Sequence, residues 1–366
     1  MQWRRCFWRK ASDVLTGFLV FLTVASIGIA GLAWISPGRL EPLRDETGAI
    51  IPGSISERMF VEIGGIRQGM FIQSVDPSNS VVLFLHGGPG MPEFFMEQEY
   101  PTGMAQDYTM VWWEQRGAGM SFATDIPAAS MTMEQMIADT IEVADYLRAR
   151  FGKAKIILLG HSWGSYLGIQ VAAEAPDRFL AYMGMAQIAH QLRSEILARD
   201  FMIDAYRELG NQRMVRRLET AQVSMESGLS QAWMRLRDKA MHQLGVGNTR
   251  DTRSVVRGIF LPVWRVRAYT LREKINIWRG KLWSRPFFWD ALLRDDLAKR
   301  LTRFELPVYF FVGRHDYTAN AGLSKAYFDV IEAPTKEFFL FDNSAHSPLF
   351  EEPELARATL REALNS

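Results

Sequence analysis

The pentapeptide Gly160-His161-Ser162-Trp163-Gly164 is the part of this chain whose residue types and spacing most directly suggest chemistry. It follows the apolar run Ile156–Leu159 and precedes a stretch with helical spacing. A serine on a sharp strand-to-helix turn holds its hydroxyl clear of the sheet. Glycines two residues to either side keep side chains out of the neighbouring strand and helix, so the pattern reads as a nucleophile elbow. It occurs once in the chain. A serine hydroxyl is a weak nucleophile at neutral pH and needs a base to take its proton. In this arrangement an acid and then a histidine follow the serine in the chain.

Of the six histidines, His86 and His161 lie too early, and His190 and His242 fall in a later helical region. His315 precedes the final apolar run, whereas His346 follows that run by a short loop, which brings it to the same sheet edge as Ser162. His346 is therefore the expected base. Asp316, just past Val308–Val312, is the expected acid, with its carboxylate on the far ring nitrogen to hold the tautomer that accepts the serine proton. Asp342 competes, but an acid four residues before the histidine on the same loop more often bonds local backbone. An acyl-transfer intermediate also needs two donors for its oxyanion. The backbone N–H of Trp163 is one. Gly88, in the glycine-rich loop Leu85–Gly90, is expected to supply the other, because glycine lets the backbone approach a ligand closely. Glu114–Ser121 reads as a turn stapled by buried Arg116, an architectural feature.

These residues need a scaffold. Six apolar runs, Val81–Leu85, Met110–Trp113, Ile156–Leu159, Leu180–Met185, Val308–Val312 and Glu337–Phe341, suit strands of a mostly parallel sheet buried on both faces. Between the second and third, Met133–Phe151 carries apolar residues in steps of three and four, which is helical spacing. Phe60–Ile72 reads as a hairpin about Gly64-Gly65. The expected fold class is thus α/β, a mostly parallel central sheet with helices on both faces. From about 187 to 305 the strand–helix alternation gives way to helical, Trp-rich sequence with 23 basic and 12 acidic residues between His190 and Arg303. This region is expected to form a cap over the C-terminal edge of the sheet, where open α/β folds bind ligands. The expected organisation is 1–40 tail and anchor, 41–58 linker, 59–186 first part of the core, 187–305 cap and 306–366 second part of the core.

The first forty residues stand apart. Val14–Ile35 contains no charge in 22 residues, enough for a helix of about 30 Å, the thickness of a bilayer core. Arg4, Arg5, Arg9 and Lys10 precede it, while acids and arginines mix after it, and Trp3, Trp8 and Trp34 flank it. The excess of positive charge predicts a cytoplasmic N-terminus with the remainder outside. A cleaved signal peptide is the alternative, although the run exceeds the usual apolar length. Cys6, the only cysteine, would stay reduced on the cytoplasmic side.

The whole chain, 366 residues with a formal charge of +1, excludes a disulfide scaffold and a dedicated nucleic-acid binder. No phosphate loop, zinc spacing or dinucleotide fingerprint is present, so no cofactor or metal is expected. The expected partners are a small-molecule or short-peptide substrate and, through the N-terminal helix, a membrane.

HGGPG at His86–Gly90, EQRGAGMS at Glu114–Ser121, GHSWGS at Gly160–Ser165, GRHD at Gly313–Asp316 and SAHS at Ser344–Ser347 together resemble the proline iminopeptidase family of α/β-hydrolases over about residues 60–350. The resemblance implies an α/β-hydrolase fold with a helical cap and release of N-terminal residues, proline above all, from peptides. It implies Ser162, Asp316 and His346 as the catalytic set. The chain departs from the pattern in having Glu114 where the family has Asp. Its cap acids Glu195, Glu208, Glu219, Glu226 and Glu273 match no amine-binding position, and a cationic cap would repel a substrate ammonium. Esters and other acyl substrates, transacylation, and non-catalytic ligand binding on the same fold are the alternatives. Epoxide or halide hydrolysis would need a carboxylate at the elbow.

Overall fold

A computed structural model of the chain describes residues 2–365, with side chains from 16 to 364. Eight strands form one sheet: β1 (Ile55–Ile63), β2 (Ile66–Ser74), β3 (Val81–Leu85), β4 (Thr109–Trp113), β5 (Ile156–His161), β6 (Phe179–Met185), β7 (Val308–Gly313) and β8 (Lys336–Phe341). Their spatial order is β1-β2-β4-β3-β5-β6-β7-β8. The six strands from β4 to β8 in that order run parallel, and the β1–β2 hairpin joins antiparallel to β4. This is the mostly parallel α/β sheet expected, and β3, β4, β5 and β7 are buried at every position. Each buried aliphatic side chain in them contributes roughly 1.5–3 kcal/mol through the water it sheds.

One helix, Met133–Phe151, coincides with its periodic pattern. Thr132 caps it by accepting the Gln135 N–H at 3.2 Å, Gly152 ends it at φ 62°, and its buried stripe includes Met136, Val143, Ala144 and Leu147. From the same helix Asp139 takes Arg116 in a two-pronged pair at 2.8 and 2.9 Å, and both side chains are almost wholly buried. Arg116 also donates to the Gly64 carbonyl at 2.8 Å, stapling the β1–β2 turn to the core. Glu114 is buried too. It accepts the Met120 N–H and the Tyr269 hydroxyl, and burial, against that hydroxyl bond, raises its carboxyl to about 8.

Between β6 and β7 the chain builds a helical layer led by α-helices Gln191–Glu208, Gln231–Leu244 and Leu271–Arg294. It also holds a two-residue hairpin at Val223–Ser224 and Gly228–Leu229 and a π-helical turn at Val256–Phe260, neither of which the helical pattern anticipated. At the other end, β1 starts at Ile55, inside the stretch read as linker. Only its last residue, Ile63, is buried, so its sequence lacks the apolar signature of the inner strands.

The N-terminal helix runs Gln2–Trp34, and Thr16–Trp34 within it is long and apolar enough to cross a membrane, with none of that window buried against the protein. The side chains of Trp3, Arg4, Arg5, Cys6, Trp8, Arg9 and Lys10 lie outside the described residues. The chain leaving the helix is fastened to the helical layer. Gly38 N–H donates to the Arg267 carbonyl at 3.1 Å, and Lys274 Nζ donates to the Ile35 carbonyl at 3.2 Å.

Candidate active site

Ser162 sits between β5 and the helix Trp163–Glu174 at φ 55°, ψ −118°, a backbone conformation few residues other than glycine adopt. Strain of this kind costs about 1–3 kcal/mol and persists only where the surroundings enforce it. Here they do. The Ser162 N–H donates to the Met185 carbonyl on β6 at 3.0 Å. A Cβ on Gly164 would lie 1.9 Å from the Leu85 carbonyl oxygen, and one on Gly160 would lie 2.3 Å from the Gly164 oxygen. Only glycine fits at either position.

Asp316 and His346 come from the loops after β7 and β8. His346 Nδ1 lies 2.8 Å from Asp316 Oδ2. The other Asp316 oxygen accepts the N–H groups of Thr318 and Ala319 at 2.8 and 2.9 Å, so the carboxylate is held on both sides. The two loops can meet because Gly313 has no side chain; a Cβ there would stand 1.8 Å from the Ala345 carbonyl oxygen. Glu351 brackets the histidine loop by accepting the N–H groups of Ala345 and Ser347 at 2.9 and 3.1 Å. Asp342, the competing acid, instead pairs with Arg314 on the surface.

Ser162, His346, Gly88 and Trp163 line a single cavity of about 160 Å³ between the sheet edge and the helical layer. The Gly87 N–H donates to Glu93 Oε1 at 3.1 Å. Among the described residues, the N–H groups of Gly88 and Trp163 donate to nothing. Of the remaining histidines, His86 is buried and accepts the Gln115 N–H, and burial lowers it to about 4, so it is a neutral prop of this loop.

The cavity also holds residues that sequence reading did not single out. Glu93 Oε2 lies 2.7 Å from His161 Nδ1, and His161 Nε2 lies 2.8 Å from the His346 carbonyl oxygen. The ring thus bridges the Glu93 carboxyl group and the His346 carbonyl, to which its Nε2–H donates. Burial lowers the basicity of the ring, but Glu93, the His346 carbonyl and Asp316 together outweigh it and raise it. No motif marks Glu93, six residues beyond Gly87; only the fold shows that it reaches back to His161. From the helical layer come Arg237, Asp238, Lys281 and Arg285. In sequence these were four charges among many.

None of the five cap glutamates lines the cavity. Glu195 is buried on Trp233, Gln191 and Arg237, Glu273 pairs with Arg58, and Glu208, Glu219 and Glu226 are exposed. Among the described residues no group of three metal-ligating side chains comes together.

Comparison with known proteins agrees with this architecture. Residues 80–353 match the family described as the alpha/beta hydrolase fold. The chain is 33% identical over 317 residues to a protein of Bacillus subtilis named probable aminopeptidase YbaC, covering 84% of this chain and 96% of that one. Among solved structures, the proline iminopeptidase of Mycobacterium smegmatis superposes with a TM-score of 0.58 at 17% identity, over 84% of this chain and 98% of that one. A structure titled as a membrane phospholipase A, a bacterial virulence factor, has the same TM-score at 14% identity and covers 97% of this chain and 98% of that one. The chain belongs to the α/β-hydrolase family.

Proposed function

We propose that the protein is a serine hydrolase that works through an acyl-enzyme on Ser162. The observation that carries this reading is the Asp316–His346 bond at 2.8 Å, with the histidine lining the same cavity as the serine on its strained turn. In the proposed reaction His346 Nε2 takes the Ser162 proton as Oγ attacks the substrate carbonyl carbon. Asp316 keeps the proton on Nδ1 and stabilises the imidazolium that forms. The N–H groups of Gly88 and Trp163 receive the oxyanion, a role for which their lack of other partners leaves them free. Collapse of the intermediate returns the proton to the leaving group. Water, deprotonated by the same histidine, then releases the acyl product and restores the serine.

The relatives named as aminopeptidase and proline iminopeptidase extend the reading to release of an N-terminal residue such as proline from short peptides. One observation favours a second reading, hydrolysis of esters or other acyl compounds without a free amine. The cap acids that could bind an ammonium are exposed or already paired, while cations line the cavity. The apolar N-terminal helix is proposed as a membrane anchor with its basic end in the cytoplasm and the catalytic part outside. Loss of the catalytic part on protease treatment of intact cells would support that orientation, and its full protection would overturn it.

The experiment for the chemistry is labelling with a fluorophosphonate probe. Wild-type protein should label and Ser162→Ala should not; undiminished labelling of the variant would sink the reading. Prolyl-naphthylamide against a short-chain 4-nitrophenyl ester separates the two substrate classes.

A further inference from the structure

The cap side of the cavity carries more positive charge than its own acids neutralise. Arg237, on the helix Gln231–Leu244, donates Nε to Glu195 at 2.8 Å and Nη1 to Asp238 at 2.7 Å. Its Nη2 has no partner, although the residue is only 9% exposed. Glu195 is already occupied, accepting Trp233 Nε1 at 2.8 Å and Gln191 Nε2 at 2.9 Å as well. Lys281 and Arg285 stand four residues apart on the helix Leu271–Arg294, the spacing that puts two side chains on one face. Lys281 has no hydrogen bond or ion pair among the described residues. Arg285 lies 4.0 Å over the Trp289 ring and reaches the Met234 sulfur at 3.9 Å, but it meets no carboxylate.

The other charged groups on the cavity do not change this balance. Glu93 is paired with His161 on the floor, and wherever the shared proton sits the pair carries no net charge. His242 is pushed down by burial and is neutral. Asp238 bonds Arg237 and also acts at longer range on Lys281 and Arg285, so one cavity carboxylate is shared by three cations. Partly buried cations that outnumber their acids are unfavourable unless a ligand supplies the missing counter-charge.

We propose that Arg237, Lys281 and Arg285 form an anion subsite beside Ser162, so that the substrate is an acyl compound bearing a carboxylate or phosphate group in addition to the bond that is cleaved. The free Nη2 of Arg237 offers a directed donor and Lys281 a mobile one, the combination that oxyanions accept through charge-assisted hydrogen bonds. Burial lowers the basicity of Lys281, Asp238 opposes it, and Arg285 and Arg237 add to the lowering. Burial and then Arg237 do the same for Arg285. A bound anion would relieve both. The assignment of the cavity to substrate rests on the serine hydrolase reading, but the subsite can be tested apart from turnover.

The test uses the full chain in detergent. One arm compares kcat/KM for mono-4-nitrophenyl glutarate with its neutral methyl ester, placing a carboxylate on the acyl side. The other compares 1-butyrylglycerol 3-phosphate with 1-butyrylglycerol, placing a phosphate on the alcohol side. The anionic member should win by about tenfold or more in one arm, the worth of a charge-assisted contact. That ratio should fall in Lys281→Gln and in Arg285→Gln, and should shrink as salt is raised. Arg237 is left intact because its removal would strand the buried Glu195. Equal or better turnover of the neutral member in both arms, or an unchanged ratio in both variants, would overturn the proposal. Titration of Ser162→Ala with glutarate and with inorganic phosphate gives a reading without catalysis: saturable binding weakened in the Lys281→Gln background supports the subsite, and no binding of either anion refutes it. If fluorophosphonate labelling fails while an anion still binds, it is the serine hydrolase reading that falls, not the subsite.

Discussion

Replacing Gly313 by alanine adds one methyl group where two loops cross. Gly313 closes β7, and its φ lies outside the left-handed region, so alanine brings no backbone penalty of its own. The cost is contact. The new Cβ would lie 1.8 Å from the Ala345 oxygen and 2.6 Å from the Ser344 oxygen, where real Cβ contacts begin at about 3.0 Å. The Ala345 carbonyl must therefore retreat by the difference between 1.8 and 3.0 Å, roughly 1.2 Å. It cannot do so alone, because His346 is the next residue and its ring is tied to Asp316, three residues beyond the position that carries the methyl group. Misplacing a reacting group by about 1 Å costs on the order of a hundredfold in rate, equivalent to about 2.7 kcal/mol of barrier. The stability cost of overpacking is about 1–3 kcal/mol.

The expected result for Gly313→Ala is thus a kcat on a neutral nitrophenyl ester reduced about a hundredfold. The rate of fluorophosphonate labelling should fall in parallel, while the thermal midpoint drops by only a few degrees, as about 1–3 kcal/mol implies. Circular dichroism melting separates loss of the fold from loss of the site. A folded variant that keeps more than half the wild-type kcat would refute the argument, since His346 would then not depend on the clearance at Gly313.

Three further outcomes follow from the same geometry. Asp316→Asn should lower kcat by about 10³–10⁴ with the fold intact, whereas Asp342→Asn, which loses only the surface pair with Arg314, should leave kcat unchanged; equal losses would reverse the assignment of the acid. Removing the arginine of the buried Arg116–Asp139 pair by Arg116→Met leaves Asp139 uncompensated and should cost about 3–5 kcal/mol in denaturant unfolding, and a change below about 1 kcal/mol would mean the pair is dispensable. Burial raises Glu114 from 4.5 to about 8, so the folded state holds a proton that the unfolded chain releases, and stability should fall as pH rises from about 5 through 8; melting across that range should show Glu114→Gln losing less stability than wild type, and parallel curves would contradict the shift.

How much of this could be read from sequence depended on whether a residue's neighbours are close along the chain. The inner strands were legible to within a residue or two because burial on both faces leaves a continuous apolar run. β1 was not, because its residues before Ile63 are only half-buried or exposed and Ser56, Glu57 and Arg58 resemble a loop. Ser162 announces itself through glycines whose need is local. Asp316 and His346 follow from chain order and from their position after a strand. Glu93 carries no such mark, because its partners His161 and the Gly87 N–H meet it only once β3 and β5 are side by side. The cap cations were equally hidden. Sequence counts charges but cannot tell an arginine over water from one over a cavity, and that difference decides whether the cap repels an amine or binds an anion.

The two carboxylate–histidine pairs at this site act on different freedoms of one residue. Asp316 bonds the ring of His346 and so fixes its rotation and tautomer. Glu93 acts through His161, whose second nitrogen holds the His346 main-chain carbonyl and so fixes where the ring is hung. The same Glu93 carboxylate takes the Gly87 N–H, one residue before the amide proposed to receive the oxyanion. A single buried acid thereby ties the loop that presents the base to the loop that presents the donor, across strands β3 and β5 that lie side by side in the sheet. The site's geometry thus depends on a buried acid outside the proposed triad, and the cap cations face a floor whose Glu93–His161 pair carries no net charge. The uncompensated charge in the cavity therefore lies on the cap wall.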